Sequence, residues 1–262
     1  MRPHIAVIIG IFSFSTPVSS ATVKPEIGHA ELITKSVTGT IETTARTLKT
    51  GDKIHQNEVI ATAEESEAEL VLADDTKLAV GPKSQIVLDS FVYDPAKKDG
   101  EVVINAAKGA FRFVTGKSAK SAYTIKTPAS TIGVRGTTFD GFVNDDGEIA
   151  LLLLDGEIDV CNAARTCKRL NRRGYFLHIR RNGIISDPRK WDGTFLSNVA
   201  FGAAFPFIGR QLRISPRIRF RQADLLGGRL LRQGVVPRVV PRVAPRRVLP
   251  RRIPRPRIRR PF

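Results

Sequence analysis

The chain has 262 residues, room for one large domain or two small ones, and a formal net charge of +17. From Arg210 to Phe262 there are 17 Arg, no Lys and one acid, Asp224, a net of +16 that leaves +1 for the 209 residues before it. A body so close to neutral excludes a domain that is basic throughout, and the apolar runs are too short for a membrane span of about 20 residues.

The N-terminus has the layout of a secretory signal over residues 1–21. Arg2 is the basic start, Ile5 to Phe14 the apolar stretch, and Ser19-Ser20-Ala21 a small-residue cleavage site. The protein is therefore expected in the periplasm or outside the cell, without a membrane helix. Cys161 and Cys167 fit that compartment. An even cysteine count in an exported chain favours a disulfide, here closing the hairpin loop Asn162–Thr166. Five intervening residues are too many for a thioredoxin-like redox pair, and no further ligands for a metal lie nearby.

After a polar lead-in, Thr22 to His29, short extended segments follow one another. Glu31–Lys35 and Val37–Glu42 read as a first strand pair, and Glu58–Thr62 resumes the pattern. Glu67–Ala73 alternates cleanly and returns as Thr76–Val80 after the turn Asp74-Asp75, a hairpin. Gln85–Tyr93 and Glu101–Ala106 follow. In Lys108–Phe142 the pairs Phe111/Phe113, Tyr123/Ile125 and Ile132/Val134 have the two-residue period of strands with one buried face. The small residues Thr127–Thr131, with Gly133 and Gly136, suggest close backbone approach. Asp145-Asp146-Gly147 marks a hairpin from Phe139–Val143 into Glu148–Leu154, whose unbroken apolar run Ile149–Leu154 fits a strand covered on both faces. Glu157–Cys161, Lys168–Asn171, Gly174–Ile179 and Gly183–Ser186 complete the series.

Turns every eight to twelve residues, without a helical period, predict an all-β fold over residues 30–187. The architecture is a single antiparallel-rich sandwich or roll, with β-helix-like stacking as the alternative. Residues 188–209 read as a short helical or apolar connector, with Trp191–Phe205 as one helical piece. Residues 210–262 read as a disordered Arg/Pro-rich tail, since its eight prolines allow neither helix nor ladder.

Chemistry-bearing patterns are sparse. Thr115-Gly116-Lys117-Ser118 resembles the end of a phosphate-binding loop, but Gly109 is two positions too early for that motif and the next segment is strand-like. His29, His55 and His178 are isolated, and the paired aspartates occupy turn positions where Asp serves the backbone. No catalytic, metal or cofactor residue is assigned, and the protein is expected not to be an enzyme. The tail is the strongest physical signal. Arg238, Arg242, Arg246, Arg247, Arg251, Arg252, Arg255, Arg257, Arg259 and Arg260 form an anion-binding arm, because guanidinium matches phosphate and carboxylate in bidentate geometry. Anionic lipid headgroups, lipopolysaccharide or an acidic polymer are the expected partners; nucleic acid is set aside, because an exported protein rarely meets it.

Four segments, Ala68–Ser84 (AELVLADDTKLAVGPKS), Val102–Lys117 (VVINAAKGAFRFVTGK), Thr127–Phe139 (TPASTIGVRGTTF) and Leu154–Val160 (LDGEIDV), together resemble the FecR domain over about Ile60 to Val160. Gly109, Phe111 and Phe113 fall on its G-x-F-R-F strand. Thr127, Pro128, Gly133, Val134, Arg135, Gly136 and Thr137 fall on its T-P…G-V-R-G-T core. The resemblance implies an all-β periplasmic domain associated with signal transduction and without catalytic residues. In the iron-transport regulators of that family a cytoplasmic segment and one membrane helix link the domain to a sigma factor; here a signal peptide stands in their place. The expected function is a non-enzymatic exported binding or scaffold module whose tail contacts an anionic envelope component. The alternative is a regulatory sensor acting through a membrane partner.

Overall fold

The structure is a computed structural model, and it describes residues 24–227 except 98, 120, 194, 195, 197, 198 and 216. The expected signal sequence and the tail arginines from Arg238 onward lie outside the described residues. Within them the strands are β1 (Glu26–Thr34), β2 (Val37–Ile41), β3 (Thr44–Thr47), β4 (Lys53–His55), β5 (Val59–Thr62), β6 (Glu67–Leu72), β7 (Lys77–Val80), β8 (Gln85–Asp94), β9 (Asp99–Val114), β10 (Tyr123–Lys126), β11 (Thr131–Val143), β12 (Ile149–Cys161), β13 (Cys167–Leu170) and β14 (Phe176–Ile179). The fold is all-β, as expected.

Hydrogen bonds join all fourteen strands into one sheet, but three long strands divide it into two layers. The first halves of β9 and β11 and the second half of β12 build a layer in the order β3-β2-β5-β8-β9-β10-β11-β12-β13. Their other halves build a second layer, β4-β1-β6-β7-β9-β11-β12-β14. The crossings fall at Gly109, Gly136 and Gly156, with φ of +87°, +64° and +79°. A left-handed residue is what lets a strand turn a corner and change layers. Of the pairings named above only β9–β10 is parallel, so the solenoid alternative is excluded and the sandwich holds.

One apolar interior lies between the layers, built from inward residues of both: Ile60, Ile86, Ile104 and Val134 from one, Leu70, Leu78, Phe111, Phe113 and Phe139 from the other. Phe113 packs against Tyr123 at 5.7 Å and Phe139 at 5.8 Å between ring centroids, binding the T-P…T-F stretch to the F-R-F strand. The corner at Gly109 tolerates no side chain, since a Cβ there would sit 2.5 Å from the Ser84 Cα. Gly109→Ala combines that clash with a left-handed φ, and we expect it to lower stability by about 2 kcal/mol or more. Urea titration checks this; an unchanged midpoint would show that the corner has slack.

Several expectations are corrected. β1 and β2 do not pair with each other: β1 lies between β4 and β6 in one layer, β2 between β3 and β5 in the other. Glu26–His29, read as lead-in, already belongs to β1. Among its described residues the connector has the one-turn helix α1 (Phe201–Ala204), and Trp191, Asp192 and Gly193 are not helical, so the single helix expected over Trp191–Phe205 is not formed. The largest change is at the tail boundary. Residues 210–227, placed in the tail by composition, pack against the outer face of the second layer and end in a second one-turn helix, α2 (Gln222–Leu225).

That face explains the packing. β12 turns Ala150, Leu152 and Leu154 outward, and β14 adds Phe176. Trp191, Phe201 and Phe205 close over them, with Phe176–Phe205 centroids at 5.3 Å and Trp191–Phe201 at 5.4 Å. Further along, Phe207, Leu212 and Ile214 cover Ala79 and Ala110. The unbroken run Ile149–Leu154 is thus covered on both faces, as its composition suggests.

Candidate functional site

The T-P…G-V-R-G-T residues split between corner and surface. Val134 is a core residue, and Thr137 ties the crossing together: its Oγ1 donates to the Glu157 carbonyl at 2.5 Å and its N–H donates to Thr115 Oγ1 at 2.7 Å. Thr127 closes the preceding turn, its Oγ1 accepting the Ser130 N–H at 3.0 Å. Pro128 is exposed at the tip. An open concavity of 470 Å³ lies on one side of Pro128 and Ala129, lined also by Asn162, Arg181 and Asn182. A second, of 450 Å³, lies on the other side against Lys108, Asp145 and Asp146. The motif loop is therefore the wall between two surface hollows, with Arg181 lining both.

Arg135 is exposed, 3.7 Å from Asp159. It faces a third hollow of 510 Å³ with Thr124, Gly133 and Asp159. Gly133 does not mark the close backbone approach expected of it: the nearest atom to a Cβ there would be the Asp159 carbonyl oxygen at 3.8 Å.

The segment resembling a phosphate loop is a structural latch. The Asp74 carboxylate is buried and accepts the Thr76 N–H (2.9 Å), the Thr76 hydroxyl (2.8 Å), the Ser118 hydroxyl (2.8 Å) and the Tyr123 phenol (2.9 Å). The Lys117 N–H donates to the Asp74 carbonyl at 2.7 Å, and a Cβ on Gly116 would fall 2.4 Å from the Thr76 nitrogen. The hydroxyls of Thr76 and Ser118 are thus taken by Asp74, that of Thr115 by Thr137, and the Lys117 ammonium by Asp75. Burial pushes the Tyr123 phenol up from its ordinary value, keeping it protonated as a donor.

The residue between the two phenylalanines of F-R-F is also buried. Arg112 projects to the outer face of the second layer and meets Asp140 of β11 in a two-point ion pair, Nε–Oδ1 2.6 Å and Nη2–Oδ2 2.8 Å. Both side chains are essentially inaccessible, and the Phe207 ring lies 5.6 Å from the Arg112 guanidinium carbon. Beside them Glu69 accepts the Ile214 N–H at 3.0 Å, and Glu67 pairs with Arg210 at 2.7 Å. Burial lifts the Glu69 carboxyl above its ordinary value, against backbone hydrogen bonds from Ile214 and Arg213. Strand alternation reads Arg112, Asp140 and Glu69 as solvent-facing. The signal for their burial is the dense apolar content of residues 196–214, which needs a surface to cover.

Cys161 and Cys167 are disulfide-bonded across directly opposed positions of β12 and β13. Closing so short a ring stabilises by roughly 2 kcal/mol. Intact-mass measurement should show a two-dalton gain on reduction; alkylation without reductant would refute the bond. Among the described residues no group of three or more His, Cys, Asp or Glu gathers as a metal site, and no helix is long and apolar enough to cross a membrane.

Charge is divided along the folded chain itself. Residues 24–164 carry 15 Lys/Arg against 22 Asp/Glu, a net of −7, whereas residues 165–192 carry nine Lys/Arg against two Asp, a net of +7. The near-neutral body thus joins an acidic part to a basic one, and the basic part begins at Arg165 rather than Arg210. It comprises β13, β14 and their flanking turns.

The FecR protein family model matches residues 58–159. Over these residues the chain is similar to the FecR domain. The matched region runs from β5 into β12 and so contains all three crossings, the Asp74 latch and the Arg112–Asp140 pair. Two crystal structures, at 2.50 and 1.65 Å resolution, of a "putative anti-sigma factor" from Parabacteroides distasonis ATCC 8503 are similar to it at 15% sequence identity and a TM-score of 0.39, covering 49% of this chain and 57% of that one. The present chain thus spans little more than half of that protein's length. No curated protein matches the chain. β1 to β4 and the covering segment 188–227 lie outside the FecR match and complete its sheet edges and outer face.

Proposed function

We propose that the protein is a non-enzymatic, exported module of the cell envelope, in which the FecR domain serves signal transduction and the basic C-terminal part docks on an anionic envelope component. The observation that carries the reading is the division of charge: residues 24–164 are net −7 and residues 165–262 net +23. A basic surface continued by an arginine-rich chain attracts lipid headgroups, lipopolysaccharide phosphates or acidic polymers, while an acidic body resists lying flat on the same surface. The disulfide suits the oxidising compartment that this reading requires.

The FecR domain also supports a second reading, a sensor that passes a signal to a membrane protein. In that case the motif loop around Pro128, with hollows on either side, is the surface left free for the partner.

Cell fractionation of the full chain and of a chain ending at Gly227 tests the docking. The full chain should sediment with the envelope and be released by about 0.5 M salt, and the shortened chain should sediment less and be released at lower salt. Equal distribution of the two would refute docking through the tail. One stoichiometric membrane protein cross-linked to both chains would favour the sensor.

A further inference from the structure

Near the point where the described chain ends, the folded domain gathers cations around two aromatic rings. The Arg172 guanidinium lies 4.0 Å from the Tyr175 ring centroid, and the Lys190 ammonium 4.6 Å from the same ring. Arg173 stacks at 4.8 Å over Phe220 and donates to the Arg219 carbonyl at 3.2 Å. Arg219 and Arg221 are exposed on either side of Phe220. Asp224 is the acid at this spot, capping the Arg221 N–H at 2.8 Å.

Backbone hydrogen bonds also hold the cluster together, beside the Lys190 ammonium donating to the Asp224 carbonyl. Trp191 N–H donates to the Leu225 carbonyl at 2.8 Å, and Gly227 N–H donates to the Trp191 carbonyl at 2.7 Å. Gly174, at φ +76°, lets the strand turn pass so close that a Cβ would sit 2.5 Å from the Asp224 carbonyl oxygen. Burial and the nearby Arg172 hold the Lys190 ammonium below the ordinary lysine range, with Asp224 opposing them. Arg172, Arg173, Lys190, Arg219 and Arg221 thus outnumber the one acid named at this spot, Asp224. From this cluster the chain runs on into residues 228–262, which carry 12 Arg and no acid.

We propose that residues 172–175, 190 and 217–221 form a fixed platform for a bilayer surface displaying anionic phospholipid headgroups. The inference rests on the docking reading above. Tyr and Phe set among Arg and Lys have the chemistry of an interfacial site, in which rings take the headgroup level and cations meet phosphate. A soluble polyanion would use the cations alone. A fixed platform presents its charges to the surface together.

The test uses the full chain with two charge-matched variants. One carries Arg172→Gln, Arg219→Gln and Arg221→Gln in the platform, and the other Arg238→Gln, Arg242→Gln and Arg246→Gln in the tail. Thermal unfolding first confirms that both retain the parent Tm, which is expected because all three platform residues are exposed. Binding is then measured to vesicles of phosphatidylglycerol in phosphatidylcholine at about 0.1 M salt. The platform variant should weaken binding by about a hundredfold and the tail variant by less than tenfold. Equal losses would overturn the platform while leaving tail docking intact. Absence of binding by the parent chain would overturn docking itself. Tighter binding to polyphosphate than to vesicles at matched phosphate would overturn the assignment to a bilayer.

Discussion

Asp140→Ala should lower the stability of the folded domain by about 3–5 kcal/mol, roughly 10 °C or more in Tm for a domain of this size. The substitution leaves the Arg112 guanidinium at 0% side-chain exposure without its partner, and removal of one member of a buried pair costs far more than the pair contributes. Nothing else nearby can take over. Glu69 is engaged by the Ile214 N–H of the covering segment, and Arg112 Nη1 has no hydrogen-bond partner among the described residues even in the intact protein. Replacing both members by apolar groups, Arg112→Met with Asp140→Leu, should recover most of the loss, since the desolvation of two charges disappears with them. A single variant as stable as the parent would mean that water reaches the pair and that the covering segment is loose.

A chain ending at Gly209 should fail to fold cooperatively, whereas one ending at Gly227 should keep the parent Tm within about 2 °C. The shorter truncation removes Leu212, Ile214, Leu225 and Leu226, all buried. At about 1.5–3 kcal/mol each they amount to roughly 6–12 kcal/mol, an upper figure for the real loss. That is comparable with the whole stability of a typical domain. It also strips Glu69 of the Ile214 N–H and Glu67 of Arg210, exposing an acidic, apolar face. Circular dichroism melts of the two chains decide the point. A sharp transition at the parent temperature in the shorter chain would show that residues 210–227 are not part of the domain. The same comparison governs any experiment on the tail, which must be cut after Gly227 and not at Arg210.

The two layers were legible in the sequence as strands and turns but not as layers. Alternation places Phe111, Phe113, Tyr123 and Val134 in the core, and the structure agrees. Alternation is local, however, and cannot tell that β9, β11 and β12 each serve two layers. The clue is a left-handed glycine at each of three corners, and Asp155-Gly156 by itself reads equally well as an ordinary turn. Gly133 shows the converse: a motif glycine with open space where its Cβ would be.

The burial of Arg112 and Asp140 was hidden for a related reason. The residue opposite a core position in a strand faces water unless another element covers it, and the covering element lies some 70 to 100 residues further on. Composition misled at the same place. Arginine is so frequent after residue 210 that the apolar residues Leu212, Ile214, Leu225 and Leu226 among them were absorbed into a tail. Averaging likewise concealed the basic part of the body, since +7 over residues 165–192 cancels −7 over residues 24–164.

The most direct measurement of the central claim is the affinity of the purified chain for phosphatidylglycerol-containing vesicles across about 0.05–0.5 M salt, beside the chain ending at Gly227. Docking through the basic C-terminal part predicts a steep fall of affinity with salt for the full chain, and weaker, shallower binding for the shortened one. Affinity that ignores salt, or that is unchanged by removal of the 12 arginines beyond Gly227, would contradict it.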